Sequence, residues 1–402
     1  MMRNTNLPTI LFGAFDWHNF GDLLFPHVVT ALLGDRNYLF AGLAERDLRS
    51  HGGHRVHALA KLAEEWSDQP VDIIHAGGEL LTCDAWQAAV MLLPPEQAQD
   101  INIRLHADLQ RRNEWAQQQL GTHTLAPYTV SCELFPCARK LIYNAVGGVD
   151  LDERDLNLRN EVVKNLKAAD AVGVRDLRTQ AVLAENGIAA RLMPDPVAMI
   201  EQLFGARIRS HARQHEVAQV AANFPQGYIA AQFSTDFDDD KTLAQIAAQL
   251  DQLARASHCG IVFFRAGAAP WHDDLRCYER TAAHMKTASR IFTSLDVWDI
   301  CALIANSRGY LGSSLHGRIV AMAFGLPRLN LLAPGQSART GKQSFYAASW
   351  EAEGLPVMGE VQDAAREMGR ALEADRNLLQ RTAAALVAQY RQGFAALCAA
   401  LA

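Results

Sequence analysis

Arg308-Gly309-Tyr310-Leu311-Gly312-Ser313-Ser314-Leu315-His316-Gly317-Arg318, running on through Ile319–Gly325 to Leu326-Pro327, reads as a short strand, a Gly-Ser-Ser turn and a helix that opens at Leu315 or His316. Ser313 and Ser314 suit the cap, because a hydroxyl there accepts a hydrogen bond from a helix N–H that has no carbonyl partner. Ile319, Val320, Met322, Ala323 and Phe324 can seat the helix on a sheet, Gly325 ends it and Pro327 follows. A helix N-terminus beside the carboxyl end of a strand is an anion site in open α/β sheets. His316 and Arg318 project from its first turn, so the stretch predicts half of an active site for a phosphorylated substrate.

The chain around it has 402 residues, which suits two domains rather than one core. Half of the residues are hydrophobic (49%) and a fifth are charged (20%), as in globular proteins, and the net charge of −6 leaves no electrostatic footprint for nucleic acid. No apolar run approaches the ~20 residues of a membrane-spanning helix, and the polar start Met1–Pro8 lacks the apolar centre of a signal peptide. Seven scattered cysteines indicate a reducing compartment, so a cytoplasmic location is expected, with room for contact at the inner membrane face. The closest pair, Cys132 and Cys137, has no second pair at zinc-ligand spacing and is read as two free thiols.

Alternation of strand and helix gives the fold class. Strands are predicted at 9–15, 38–41, 71–74, 141–145, 171–174 and 190–193, with helices at 23–33, 56–66, 156–168 and 177–186 between them and one from Leu80. A second series has strands at 228–233, 260–264, 290–292, 308–311 and 328–332, and helices at 239–256, 271–286, 296–305 and 315–324. The expected architecture is α/β, with two Rossmann-like, doubly wound domains facing across a cleft and a C-terminal helical tail. Residues 1–205 form the first domain, with an irregular insertion at 94–140 holding one helical piece near 101–119. The polar stretch 206–226 is the expected linker, 227–360 the second domain and 361–402 the tail.

The candidate residues lie at strand ends. Asn19 and Asp22 follow the first strand, and Gly77, Gly78 and Glu79 follow the third. Amide and acidic groups there can hydrogen-bond sugar hydroxyls, while two glycines permit close backbone approach. Capping by Asp22 explains that residue equally well. Arg175 ends a strand and can grip a phosphate or carboxylate with both arms of its guanidinium, or simply pair with Asp176 or another acid. Asp195, between two prolines at a strand end, reads as a helix cap or, second to that, as a group for direct chemistry. The run Asp236–Asp240 precedes a helix, where acids complement the macrodipole. His316 can donate or accept a proton near neutral pH. No Walker motif, no H-E-x-x-H and no G-x-S-x-G is present.

In this order, Asn19-Phe20-Gly21-Asp22, His75-Ala76-Gly77-Gly78, Val174-Arg175-Asp176 through Gly187-Ile188, Pro194-Asp195-Pro196 and Ser313-Ser314-Leu315-His316-Gly317 resemble the polysaccharide pyruvyl transferase family across residues 9–330. The resemblance implies a fold like the GT-B glycosyltransferases. It also implies transfer of a pyruvyl group from phosphoenolpyruvate to two hydroxyls of one sugar as a ketal, with release of phosphate and without a cofactor or metal. By that resemblance Arg175 and His316 fall on positions that hold or act on the donor. The chemistry of the residues adds Ser313, Ser314 and Arg318 to the expected donor site, with His316 as the acid, and the strand-end residues Asn19, Asp22, Gly77, Gly78 and Glu79 are expected to face the saccharide acceptor, free or lipid-linked. Many members carry Arg-Leu-His where this chain has Ser314-Leu315-His316, and Arg318 is the expected replacement cation. Two other readings stay open: a GT-B-like glycosyltransferase using a nucleotide sugar, and a non-catalytic glycan-binding paralogue.

Overall fold

The structure, a computed structural model, describes residues 7–105 and 107–401; most of the polar start lies outside them. The chain divides into two compact units, one running to Pro196 and taking up Gln389 onward, the other Val197–Ala388. The first unit holds eight strands: Thr9–Phe12 (β1), Tyr38–Gly42 (β2), Arg46–Asp47 (β3), Arg55–Ala58 (β4), Val71–His75 (β5), Ala138–Val146 (β6), Ala171–Val174 (β7) and Arg191–Leu192 (β8). Their order is β3-β4-β2-β1-β5-β6-β7-β8, parallel except for the β3–β4 pair. β1, TILF, is buried at every position, as a strand covered by helices on both faces must be.

The second unit holds six parallel strands: Tyr228–Gln232 (β9), Gly260–Phe263 (β10), Ser289–Ile291 (β11), Gly309–Gly312 (β12), Arg328–Leu332 (β13) and Met358–Glu360 (β14), in the order β11-β10-β9-β12-β13-β14. One sheet face carries Ile229, Ala231, Ile261, Phe263, Leu311, Leu329 and Leu331. Helices Asp240–Ser257 and Ala364–Leu372 cover it with Leu243, Ile246, Leu250, Leu253 and Met368. Each such aliphatic side chain contributes ~1.5–3 kcal/mol on burial. Phe263 stacks on Tyr278 at 5.5 Å, and the Tyr278 hydroxyl donates to the Phe233 carbonyl at 3.1 Å.

Among the parallel strands of each sheet the order reverses once, between β1 and β5 in the first unit and between β9 and β12 in the second. Ligands of open α/β sheets bind outside the carboxyl ends of the strands at such a point. The loops there are Gly13–Asn19 and Ala76–Glu79 in one unit, and the starts of Phe233–Ser234 and Ser313–Ser314 in the other.

Four expectations change. Residues 56–66 are not one helix: β4 runs into helix Leu59–Glu65. The helix expected from Leu80 starts at Ala85 instead, because Asp84 and Gln87 form a capping box. The insertion holds two helices, Pro95–Leu105 and Leu109–Leu120, before an irregular segment. The expected linker, 206–226, falls largely within helices Ile200–His211 and His215–Asn223, both in the second unit. Their polar residues conceal an apolar stripe of Gly205, Ile208, Val217 and Val220, all buried, while Phe204 and Arg207 pack on the Trp298 ring. The helical tail is present, but helix Arg376–Cys398 is shared between the units.

Candidate functional site

In the first unit the backbone at the switch point has the shape the sequence suggests, and most side chains there bond to the protein itself. Gly77 and Gly78 have φ of +134° and +104°, a region L side chains rarely adopt. A Cβ on Gly78 would come 3.4 Å from Asp22 Oδ1, which places Asp22 beside this turn. Asn19, not Asp22, caps helix Phe20–Leu33, its Oδ1 accepting from the Gly21 amide at 3.2 Å.

Arg175 is buried, and its guanidinium donates to Glu79 at 2.6 Å and to Asp195 at 3.1 Å. Glu79, expected to face the acceptor, is therefore an ion-pair partner that also accepts from the Val149 amide. Its side chain retains 19% exposure, whereas that of Asp195 has none. Asp195 stands directly before the helical turn Pro196–Met199, and Asp176 caps helix Leu177–Glu185, accepting from Thr179 N and Oγ1. Burial, reinforced by Glu79, pushes the Asp176 carboxyl up to about 6.

Sequence reasoning missed Asp16, in the loop after β1. It is buried, with one oxygen accepting from the Leu43 and Ala44 amides at 2.6 and 2.9 Å and the other from the Tyr128 hydroxyl at 3.3 Å. Gly42 leaves room for it, since a Cβ there would lie 2.5 Å from Asp16 Cγ. Burial pushes its pKa up to about 6 against those hydrogen bonds. A raised acid stabilises the fold below its unfolded value of 3.8, and that contribution is lost as pH rises through about 6. Asp16→Asn removes the titration. The variant's unfolding free energy relative to wild type is expected to rise by roughly 2–3 kcal/mol between pH 4 and pH 7. Urea melts at both pH values check this, and a difference that does not change with pH would contradict it.

In the second unit the helix opens as the sequence predicts, at Leu315 after the Ser314 cap, whose Oγ accepts from the Gly317 amide at 3.2 Å. Ser313 Oγ accepts from the Ser234 amide at 3.1 Å and so ties β12 to β9 across the switch point. Helix Lys342–Trp350 starts alongside, where Gln343 Nε2 donates to the Ser313 carbonyl at 2.7 Å and brings Lys342 to this end of the sheet. His316 lies in the first turn at 7% exposure. A helix N-terminus at the switch point, with a histidine in its first turn and a lysine on the neighbouring helix, can hold an anion and exchange a proton with it.

Arg318 does not join that group. It is wholly buried and donates to Glu351, to Asn330 Oδ1 at 3.1 Å and to the Val357 carbonyl at 3.0 Å. Arg328 donates to the same Glu351. Burial alone would raise the Glu351 carboxyl, but the two guanidiniums hold it below the usual carboxylate range. The missing basic residue before Leu315 is therefore not replaced by Arg318, whose charge is spent in the core of the unit. Position in the first turn suggested otherwise, because the sequence gives no sign of a partner as distant as Glu351. The Asp236–Asp240 run is a cap and surface feature as expected: Asp239 caps helix Asp240–Ser257, and Asp238 and Asp240 pair with Arg280. Cys132 and Cys137 are exposed free thiols.

The family model described as polysaccharide pyruvyl transferase matches residues 118–331, a span that contains Arg175 and His316. No curated protein matches the chain. Among solved structures, UDP-GlcNAc 2-epimerase from Neisseria meningitidis bound to UDP-GlcNAc is similar with a TM-score of 0.55 at 9% identity, covering 98% of this chain and 99% of that one. The Methanocaldococcus jannaschii enzyme in complex with UDP-GlcNAc and UDP gives 0.51 at 10% identity, covering 92% and 94%. At these identities the likeness concerns fold: two doubly wound, parallel α/β sheets in series with C-terminal helices, a GT-B-like architecture.

Proposed function

The chain belongs to the polysaccharide pyruvyl transferase family, and from that membership we propose that it moves the pyruvyl group of phosphoenolpyruvate onto two hydroxyls of one sugar, in a surface polysaccharide or its lipid-linked precursor, as a ketal. The carrying observation is the family match across residues 118–331, with His316 in the first turn of a switch-point helix. The acceptor is assigned to the first unit's switch point, at Gly77, Gly78 and Asp22. The reaction belongs on the cytoplasmic side, where donor and precursor are both present. Among the described residues no helix is long and apolar enough to cross a membrane.

The chemistry sets the demands. The methylene carbon of phosphoenolpyruvate takes a proton, and positive charge develops on the adjacent carbon. A sugar hydroxyl attacks that carbon and loses its proton. The carbon–oxygen bond to phosphate breaks, and a second hydroxyl closes the ketal. The site needs a general acid and an environment for the leaving anion. His316 supplies the acid, and the helix start at Ser313–Leu315, with Lys342 on the neighbouring helix, supports the anion. The scheme uses no metal or organic cofactor.

The fold shared with nucleotide-sugar enzymes favours one competing reading, a transferase that takes a nucleoside diphosphate sugar. Ligand binding separates the two. Phosphoenolpyruvate at 100 times its Kd should stabilise the protein by about 2.7 kcal/mol, with UDP at matched concentration giving no shift. A shift with UDP and none with phosphoenolpyruvate would move the assignment to the second reading.

A further inference from the structure

Beneath the helix that opens at Leu315 runs a chain of hydrogen bonds with no part in the roles above. Gln232 ends β9 and is 2% exposed. Its Oε1 accepts from the Ser314 amide at 2.8 Å and from the Tyr310 hydroxyl at 3.2 Å, and its Nε2 donates to Asp273 Oδ1 at 2.8 Å. The other oxygen of Asp273, itself buried, accepts from the Ala266 amide at 2.6 Å. A carboxamide is nearly symmetric in shape, so packing alone does not decide which end points where; the donors and acceptors around it do. Burial pushes the Asp273 carboxyl up to about 7 against its hydrogen bonds; ionised above that pH, it only accepts. It claims the NH2 of Gln232 and thereby turns Oε1 toward Ser314.

Ser314 is consequently held by the protein at each polar atom. Its N–H goes to Gln232 and also lies 3.0 Å from the Tyr310 hydroxyl oxygen, its Oγ accepts from the Gly317 amide, and its carbonyl accepts from Asn330 at 3.3 Å and shares the one Tyr310 hydroxyl proton, at 3.0 Å, with Gln232 Oε1. Gly312 makes the tight approach possible, since a Cβ there would lie 2.3 Å from the Gln232 carbonyl and 3.0 Å from its Oε1. The helix end is therefore set before any ligand arrives, and a site whose dipoles need no rearrangement binds an anion at least cost. The same carboxylate fastens Ala266, so the loop after β10 is pinned to this corner of the unit.

Resting on the donor reading above, we propose that Gln232 and Asp273 are positioning residues for the donor end of helix Leu315–Ala323: Asp273 orients the Gln232 carboxamide, and Gln232 fixes the cap residue that aims the helix start at the phosphorylated donor. Neither need touch the donor.

The test uses the full chain and two readouts, hydrogen exchange of the peptide containing the Ser314 amide and the Kd for phosphoenolpyruvate. Asp273→Asn places a second amide against Gln232. With the single acceptor oxygen of that Asn kept on the Ala266 amide, its NH2 faces Gln232, which must then either lose the bond or turn its own NH2 toward the Ser314 N–H, two donors face to face. Loss of one buried hydrogen bond of this kind is expected to raise both the exchange rate and the Kd about tenfold. The double variant Gln232→Glu with Asp273→Asn reverses donor and acceptor in place: Glu accepts from Ser314, Tyr310 and the new Asn amide, while that Asn still accepts from Ala266. It should return exchange to within about threefold of wild type, a rescue that mere damage to the core would not give. If Asp273→Asn does not fold, Gln232→Met, of similar length and without polar atoms, should show the same loss of protection. Unchanged exchange in Asp273→Asn, or a double variant no better than the single, would overturn the proposal. So would a wild type that binds phosphoenolpyruvate measurably but no more tightly than Asp273→Asn. Absence of binding by wild type, with the exchange pattern as expected, would remove the donor reading and leave the positioning pair standing.

Discussion

Glu351→Ala is expected to cost the second unit about 3–5 kcal/mol, the range for removing one partner of a buried ion pair. Glu351 has 3% side-chain exposure, and the two arginines it binds have 0% and 2%. Its removal leaves two guanidiniums in the core with only neutral acceptors: Asn330 and the Val357 carbonyl for Arg318, and the Leu326 carbonyl for Arg328. Arginine cannot relieve this by losing its proton. Arg318→Ala should cost less, because Arg328 still neutralises Glu351 there. The ordering, Glu351→Ala below Arg318→Ala below wild type in melting temperature, is read by differential scanning calorimetry. Equal melting temperatures for Glu351→Ala and wild type would show that Arg318 is not committed to this pair and would restore it as a candidate donor contact.

His316→Gln is expected to lower turnover by about 10²–10⁴, the span of a lost general acid. Glutamine retains polarity and approximate length but cannot supply a proton near neutral pH. The KM for phosphoenolpyruvate should change far less than kcat, since the helix start proposed to hold the anion is formed by Ser313, Ser314 and backbone. Steady-state phosphate release measures both. A variant with near-normal kcat would remove His316 from the acid role, and a loss confined to KM would make it a binding residue.

Local patterning carried much of this structure and pairing across the sequence did not. The fourfold burial of TILF at β1, the Gly-Ser-Ser turn and the Ser314 cap are local, and each is visible as residue type and spacing. Helices Ile200–His211 and His215–Asn223 were hidden because His and Arg dominate their exposed faces while a thin stripe of Gly205, Ile208, Val217 and Val220 does the packing. The fate of the cations was hidden more deeply. Arg175 meets Glu79 from 96 residues away, and Arg318 meets Glu351 from 33. Both look like strand-end or first-turn anion ligands until the acids appear. Gln232 and Asn330 carry a weak signal, polar residues inside otherwise apolar strands, and the structure shows why they are there: both bond to Ser314 at the helix start. Asp16 and Asp273 give no such signal, since loop aspartates are ordinary in sequence and unusual only once buried.

The central claim is tested most directly by incubating the protein with phosphoenolpyruvate and a panel of glycosides and lipid-linked saccharides, following phosphate release together with the mass of the sugar product. The account predicts stoichiometric phosphate and a pyruvyl ketal on one acceptor, both lost with His316→Gln. Phosphate release without a sugar product, or no consumption of phosphoenolpyruvate across the panel, would contradict it.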